Sequence, residues 1–236
     1  MNANYAVSRT HDATYKGRFT LITKSGQERV RDVLVWTKLQ PNGSDMYRLS
    51  RFTAPADIKG TATLIVEDST GDDGLWIHLP AIGKTRRLVA SNKKDSYVGT
   101  DLSYGDVIGY RTPDWNNRIT GVAEIDQTPC WIVESVPASE RVASDSAYSR
   151  RISWVRQDNY VTAQGELYDA AGRLQKTFRQ VDIEKVSDQP LRWQPMLIDV
   201  HNLLTGHATR VEFFDFEANT GLSDGLFAPR TLERGR

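Results

Sequence analysis

The chain has 236 residues, 39% of them hydrophobic and 25% charged, and its 30 basic residues balance its 30 acidic ones. That composition excludes a disordered or collagen-like chain, and the zero balance gives no electrostatic footprint for nucleic acid or an anionic membrane surface. The single cysteine, Cys130, excludes an internal disulfide framework and a cysteine-rich metal site.

Alternation of apolar and polar residues dominates from the start. Strands are expected over Lys16 to Thr23, Glu28 to Leu39, Met46 to Thr53, Gly60 to Asp68, Leu75 to Pro80 and Thr85 to Ala90. Turn chemistry separates them at Lys24-Ser25-Gly26-Gln27, Pro41-Asn42-Gly43-Ser44 and Ser69 to Gly74. The second strand carries Val30, Leu34 and Trp36 on one register and Val33, Val35 and Leu39 on the other, so both faces are apolar in its middle. Asp101 to Tyr110 reads as a short helix capped by Asp101 or Ser103. A hairpin follows over Arg118 to Asp126 and Cys130 to Val136, then a small polar stretch over 138–148 with a helical turn. Arg151 to Gln157, Gln164 to Tyr168 and Arg173 to Ile183 are strands, the last two joined by Asp169-Ala170-Ala171-Gly172. Met196 to Leu203 and Thr209 to Phe216 close the series, and Ser223 to Phe227 is a short capped turn.

Many strands with few helices imply one antiparallel sheet. A sheet this long must curl, split or close. No linker divides the chain and no period of 20–50 residues repeats. The expectation is a mainly β fold, one domain over 1–236, with a single curved antiparallel sheet forming an open half-barrel under a few short helices as a partial lid.

No G-x-S-x-G, H-E-x-x-H or C-x-x-C motif is present. Gly83-Lys84-Thr85 resembles the tail of a phosphate loop, but His78 stands where its first glycine is needed. Ser91-Asn92-Lys93-Lys94 lacks the companion motifs of a serine acyl-transfer site. His11, His78, His201 and His207 are scattered, and Asp68, Asp72 and Asp73 lack the ligand pattern of a calcium loop. Asn42-Gly43-Ser44 is formally a glycosylation sequon, read here as a tight turn. No metal, cofactor or catalytic constellation is therefore expected.

What remains is a set of large apolar side chains on strand positions. A curved sheet with apolar residues on both registers makes one packed face and one hollow, and a partial lid turns that hollow into a pocket. Alkyl chains enter such a pocket at about 0.8 kcal/mol per methylene without any polar motif. The expected lining is Trp36, Met46, Phe52, Leu64, Val66, Trp76, Leu79, Leu88, Trp131 and Phe214.

Three elements then carry a resemblance. They are Phe52 to Thr61, Leu75 to Ala81 followed by Thr85-Arg86-Arg87-Leu88, and Gly99-Thr100-Asp101-Leu102-Ser103-Tyr104-Gly105-Asp106. In this order they are similar to segments of the bacterial outer-membrane lipoprotein-sorting protein family, whose corresponding element reads GSDFSYED. Weaker echoes follow at Gly172-Arg173-Leu174, Trp193-Gln194-Pro195-Met196 and Leu226-Phe227 to Leu232. Thr100 and Gly105 depart from the pattern, and the N-terminal helix usual in such carriers is short or missing.

The resemblance implies a Lol-type half-barrel that holds lipid or lipoprotein acyl chains, in the periplasm after removal of a signal peptide. It also implies a partner of the resistance-nodulation-division exporter type. Arg86 and Arg87 alternate across a strand, so one of them is expected at the rim, against a head group. Asp101 and Asp106 are expected to cap and pair locally. The resulting expectation is a non-enzymatic periplasmic carrier. The rivals are an adaptor that docks on an export pump without carrying lipid, and a hydrolase with a dispersed polar site.

Overall fold

The computed structural model describes residues 1–233, the side chains of residues 90 and 91 excepted. Its strands are β1 (Asp12–Ile22), β2 (Glu28–Leu39), β3 (Met46–Ala54), β4 (Ala62–Val66), β5 (Gly74–Leu79), β6 (Lys84–Leu88), β7 (Trp115–Ile125) and β8 (Thr128–Pro137), followed by β9 (Arg150–Arg156), β10 (Thr162–Tyr168), β11 (Leu174–Asp188), β12 (Leu191–Asn202) and β13 (His207–Ala218). Three short helices accompany them, α1 (Asn2–Ala6), α2 (Tyr104–Ile108) and α3 (Glu140–Ser146). The strands form one antiparallel sheet in the order β6-β5-β4-β3-β2-β1-β13-β12-β11-β10-β9-β8-β7, open at β6 and β7. The expected mainly β, open half-barrel is the observed one.

This order has a consequence for the hollow. The chain runs outward from β1 to the β6 edge and must then reach β7 at the opposite edge before pairing back inward. Residues 89–114 make that crossing, through short 3-10 turns and α2. They pass over the concave face, where Tyr97 and Tyr104 join Tyr15, Phe19, Val33, Val35 and Phe52 in one buried cluster. The lid is thus a result of the topology. The Tyr97 hydroxyl is buried and hydrogen-bonded with the Thr63 hydroxyl at 2.9 Å, as a buried phenol needs to be. Ser103 caps α2: its Oγ accepts from the Asp106 amide at 3.0 Å, and the Asp106 carboxylate accepts from the Ser103 amide at 2.8 Å. Gly109, at φ 89°, ends the helix. The helix is therefore shorter than the expected span, and Asp101 plays no cap role; it accepts from Thr209 Oγ1 at 2.9 Å instead.

Outside the sheet, the segment after β13 returns across the convex face. Leu222, Leu226, Phe227 and Leu232 pack there on Trp36, Tyr47, Leu49, Leu64, Val66 and Trp76. Asp12 fixes the start of this tail, accepting from the Thr220 amide at 2.6 Å and the Thr220 hydroxyl at 3.0 Å. Arg51 donates to the Thr231 carbonyl at 3.0 Å near its end. The two apolar registers of β2 now have a cause, since both faces of the sheet are covered in this region.

The main strand difference is at β11 and β12, which extend to Asp188 and start at Leu191. Pro190 and Pro195 hide this extension in the sequence, because proline normally interrupts a ladder. The β7–β8 connection is a two-residue turn with Asp126 at φ 47° and Gln127 at φ 62°, the left-handed pair of a tight hairpin. The Gly172 turn forms as expected, with Asp169 accepting from the Ala171 and Arg173 amides.

Candidate functional site

A cavity of about 340 Å³, partly open to solvent, lies between the concave face and the lid. Its wall takes side chains from eight adjacent strands, β3 through β1 and from β13 to β9. In a flat sheet the seven steps between them would spread over roughly 34 Å at about 4.8 Å each. One small cavity touches all eight because the sheet curls. Register shifts at Thr14/Lys16 in β1 and Lys185/Ser187 in β11 mark bulges, which bend a strand and increase its twist.

Most of the wall is apolar. Val33 and Val35 come from β2, Tyr15 and Phe19 from β1, Val211, Phe213 and Phe216 from β13, and Ile198 and Val200 from β12. Tyr15 stacks on Phe216 at 5.1 Å and meets Phe213 edge-on at 5.5 Å. Phe178 of β11 lies across Gly165 of β10; a Cβ at Gly165 would stand 2.5 Å from the ring, so glycine lets the ring lie flat against the sheet. From above, α2 and its flanks contribute Leu102, Val107 and Ile108.

One end is ionised. Asp106 accepts from Lys176 Nζ and the Tyr148 hydroxyl, each at 3.1 Å, from the Tyr110 hydroxyl, and from the Ser103 amide. Burial pushes the Asp106 carboxyl up, but the Lys176 ammonium and these hydrogen bonds outweigh it and hold the group below the usual carboxylate range. Burial, reinforced by the Asp106 charge, pushes both phenols up, Tyr110 and Tyr148, and so keeps them neutral. Arg151 of β9 completes the cluster, its guanidinium carbon 3.5 Å from the Tyr110 ring centroid and 5.1 Å from that of Trp115.

The sign of the Asp106 shift sets a pH dependence. A carboxyl depressed in the folded state adds stability above its unfolded value, about 3.9, and that stability is lost as pH falls through the folded value. Asp106→Asn is expected to cost about 3–5 kcal/mol at pH 7, because it leaves Lys176 buried without a counter-charge. It should also flatten the fall in stability below pH ~4. Urea melts at pH 7 and pH 3 check both; a variant as stable as its parent at pH 7 would contradict the assignment.

The N-terminal segment straps the mouth. Helix α1 is present, though only one turn long, and Asn4 and Tyr5 line the cavity. Asn4 Nδ2 donates to the Tyr160 carbonyl at 2.7 Å on one arm of the sheet. Arg9 pairs at 2.7 Å with Glu67, buried just after β4 on the other arm.

Of the residues expected to line the pocket, Met46 does so. Phe52 faces the concave side but is fully buried against Phe19 and Tyr97. Leu88 packs with Ile65, Leu75 and Ile108 beneath the lid. Leu79 shares the register of Leu75 but lies at the strand end, outside the lining. Trp36, Leu64, Val66 and Trp76 are corrected: they form the convex-face cluster under the C-terminal tail. Trp36, Leu49, Leu64 and Trp76 are cross-strand partners in one row, which fixes their common face. Phe214 is also convex, beneath Arg18 at 6.0 Å, while its neighbour Phe213 faces in. Trp131 stacks on Tyr160 at 6.0 Å, away from the cavity. Arg87 sits over Trp76 at 5.5 Å on the convex face, and Arg86 is exposed opposite Ile77 in the edge hairpin; neither reaches the cavity.

Arg151 and Lys176 carry no motif in the sequence, and the pattern around Asp106 points only to local capping and pairing. A faint signal existed: each cation shares a strand register with inward groups, Lys176 with Phe178 and Arg151 with Val155. On β9 the outward pair Ile152 and Trp154 is the more apolar, and it masks that register. Other singled-out residues have local explanations. His201 stands opposite Ala208 and His207 opposite Asn202, so the two imidazoles do not face each other. Gly83 closes the turn between β5 and β6, and the Asn42 side chain accepts from the Ser44 and Asp45 amides within its turn. The Ser91 side chain lies outside the described residues.

A family model described as Uncharacterized protein matches residues 44–234, and no curated protein matches the chain. Among solved structures, a domain named for outer membrane lipoprotein sorting from Vibrio parahaemolyticus superposes with a TM-score of 0.90 at 22% identity, covering 99% of this chain and 96% of that one. A DUF1329 family protein from Desulfovibrio piger gives 0.88 at 26% identity, covering 98% of each chain. A LolA superfamily protein from Nitrosomonas europaea gives 0.73 at 19% identity, covering 96% of this chain and 94% of that one. The expected likeness to lipoprotein-sorting proteins is thereby found, as a likeness of fold: the chain has their open, mainly β architecture.

Proposed function

The chain belongs to the family whose model spans residues 44–234, and from its sorting-protein fold and its cavity we propose that it is a non-enzymatic carrier of acyl chains. A chain enters the hollow between the concave sheet and the α2 lid, is shielded there from water, and is released to an acceptor. The observation that carries this reading is the cavity itself, about 340 Å³ with mostly apolar walls, within the range of ligand sites. Each methylene buried there contributes about 0.8 kcal/mol before ordering costs, so the length of chain held sets the balance between capture and release.

Most of the cavity's ionised groups are held by the protein itself: Asp106 pairs with Lys176, Arg9 with Glu67, and Arg48 donates to the Tyr15 hydroxyl. This supports binding over catalysis. The sorting role in the name of the Vibrio neighbour supports a periplasmic setting and transfer towards the outer membrane. Among the described residues no helix is long and apolar enough to cross a membrane. An exporter as partner stands on the sequence resemblance alone.

The test is titration of delipidated protein with a fatty acid whose fluorophore brightens out of water. Saturable brightening that unlabelled fatty acid reverses is expected. A flat titration with folded protein would sink the carrier reading and leave the adaptor.

A further inference from the structure

Arg151 is buried, lines the cavity, and its Nε has no hydrogen-bond partner among the described residues. The cluster around it holds two cations and one carboxylate. Asp106 is saturated by its four donors, and Lys176 is the cation it neutralises. Tyr110 and Tyr148 stay protonated and bring no counter-charge. One positive charge is therefore left over in a buried place, where charges normally have partners. The ring of Tyr110 covers a face of the guanidinium, and ring contact leaves the in-plane N–H groups free to meet an oxyanion. From this end, Leu167, Phe178 and Ile198 lead along the wall towards Phe213.

We propose that the occupant is a single-tailed amphiphile with an anionic oxygen head group, a carboxylate or a phosphate ester, its head seated at Arg151 and its tail along the apolar wall. This rests on the carrier reading and names the chemistry of its ligand. One tail suits a cavity at the lower end of the ligand-site range.

Calorimetric titration of the delipidated protein with myristate, myristyl phosphate, myristyl alcohol and inorganic phosphate tests the proposal. At least one anionic amphiphile is expected to bind about 10- to 100-fold more tightly than the alcohol, and the tighter of the two identifies the head group. Arg151→Met should bring the anions down to the affinity of the alcohol and leave the alcohol unchanged. Arg151→Lys keeps the charge and should retain part of the preference; it decides the matter if the methionine variant does not fold. Equal binding of alcohol and both anions, or a preference that survives in folded Arg151→Met, overturns the head-group assignment and leaves the carrier reading intact. Inorganic phosphate binding as tightly as myristyl phosphate also overturns it, showing a free-anion site. Absence of binding by all three amphiphiles overturns the carrier reading itself.

Discussion

Replacing Ile198 by tryptophan is expected to lower fatty-acid affinity by about 100-fold while the protein stays folded. Ile198 sits on β12 opposite Val211 and Gln180, with its side chain in the cavity wall and only partly buried. An indole there grows into the hollow and takes the space of three or four methylenes, at about 0.8 kcal/mol each, which gives the stated factor. Extra volume in a tight core would cost about 1–3 kcal/mol in strain, but open space reduces that cost. Val122→Trp is the control, because Val122 is 69% exposed on the edge strand β7, and its affinity should stay within twofold of the parent. Folded Ile198→Trp protein with unchanged affinity would place the ligand elsewhere.

Phe227→Ala should do the reverse, costing stability and sparing binding. Phe227 is buried on the convex face and stacks on Tyr47 at 5.3 Å, beside the fully buried Leu64 and Leu232. Truncating a buried phenylalanine costs about 3–5 kcal/mol, and at about 2–4 °C per kcal/mol for a chain of this size the melting temperature should drop by about 6–20 °C. Fatty-acid affinity measured well below the melt should not change. Lost binding with an unchanged melting temperature would mean that the convex cluster, which includes Trp36, Leu64 and Trp76, is the ligand site after all.

Those two variants probe the point at which sequence and structure part. The sheet, most of its strands and the Ser103 cap follow from local pattern, because alternation and capping depend on residues close in the chain. Which face of each strand is the hollow does not. A period of two marks two faces but cannot say which segment covers each. Here the crossing chain covers the inside and the C-terminal tail covers the outside, so Trp36 and Val35, adjacent in β2, both needed apolar surroundings. The largest side chains went to the outside row, and size was a misleading guide. The ionised end was hidden for a related reason: Asp106 and Lys176 are 70 positions apart and meet because α2 crosses over β11. The expected purely apolar pocket is thus mostly apolar along its wall, with Asp106, Lys176 and Arg151 clustered at one end and Arg9 and Arg48 also in its lining.

Photolabelling locates the bound acyl chain residue by residue. A fatty acid carrying a diazirine at its terminal carbon is bound to the wild-type protein, irradiated, and the labelled positions are read by peptide mass spectrometry. Label is expected on the inward residues of β12 and β13, around Ile198, Val211 and Phe213, and its loss when unlabelled fatty acid competes. Label concentrated on the convex peptides that contain Trp76 and Phe227, with those inward residues clean, would contradict binding in the hollow.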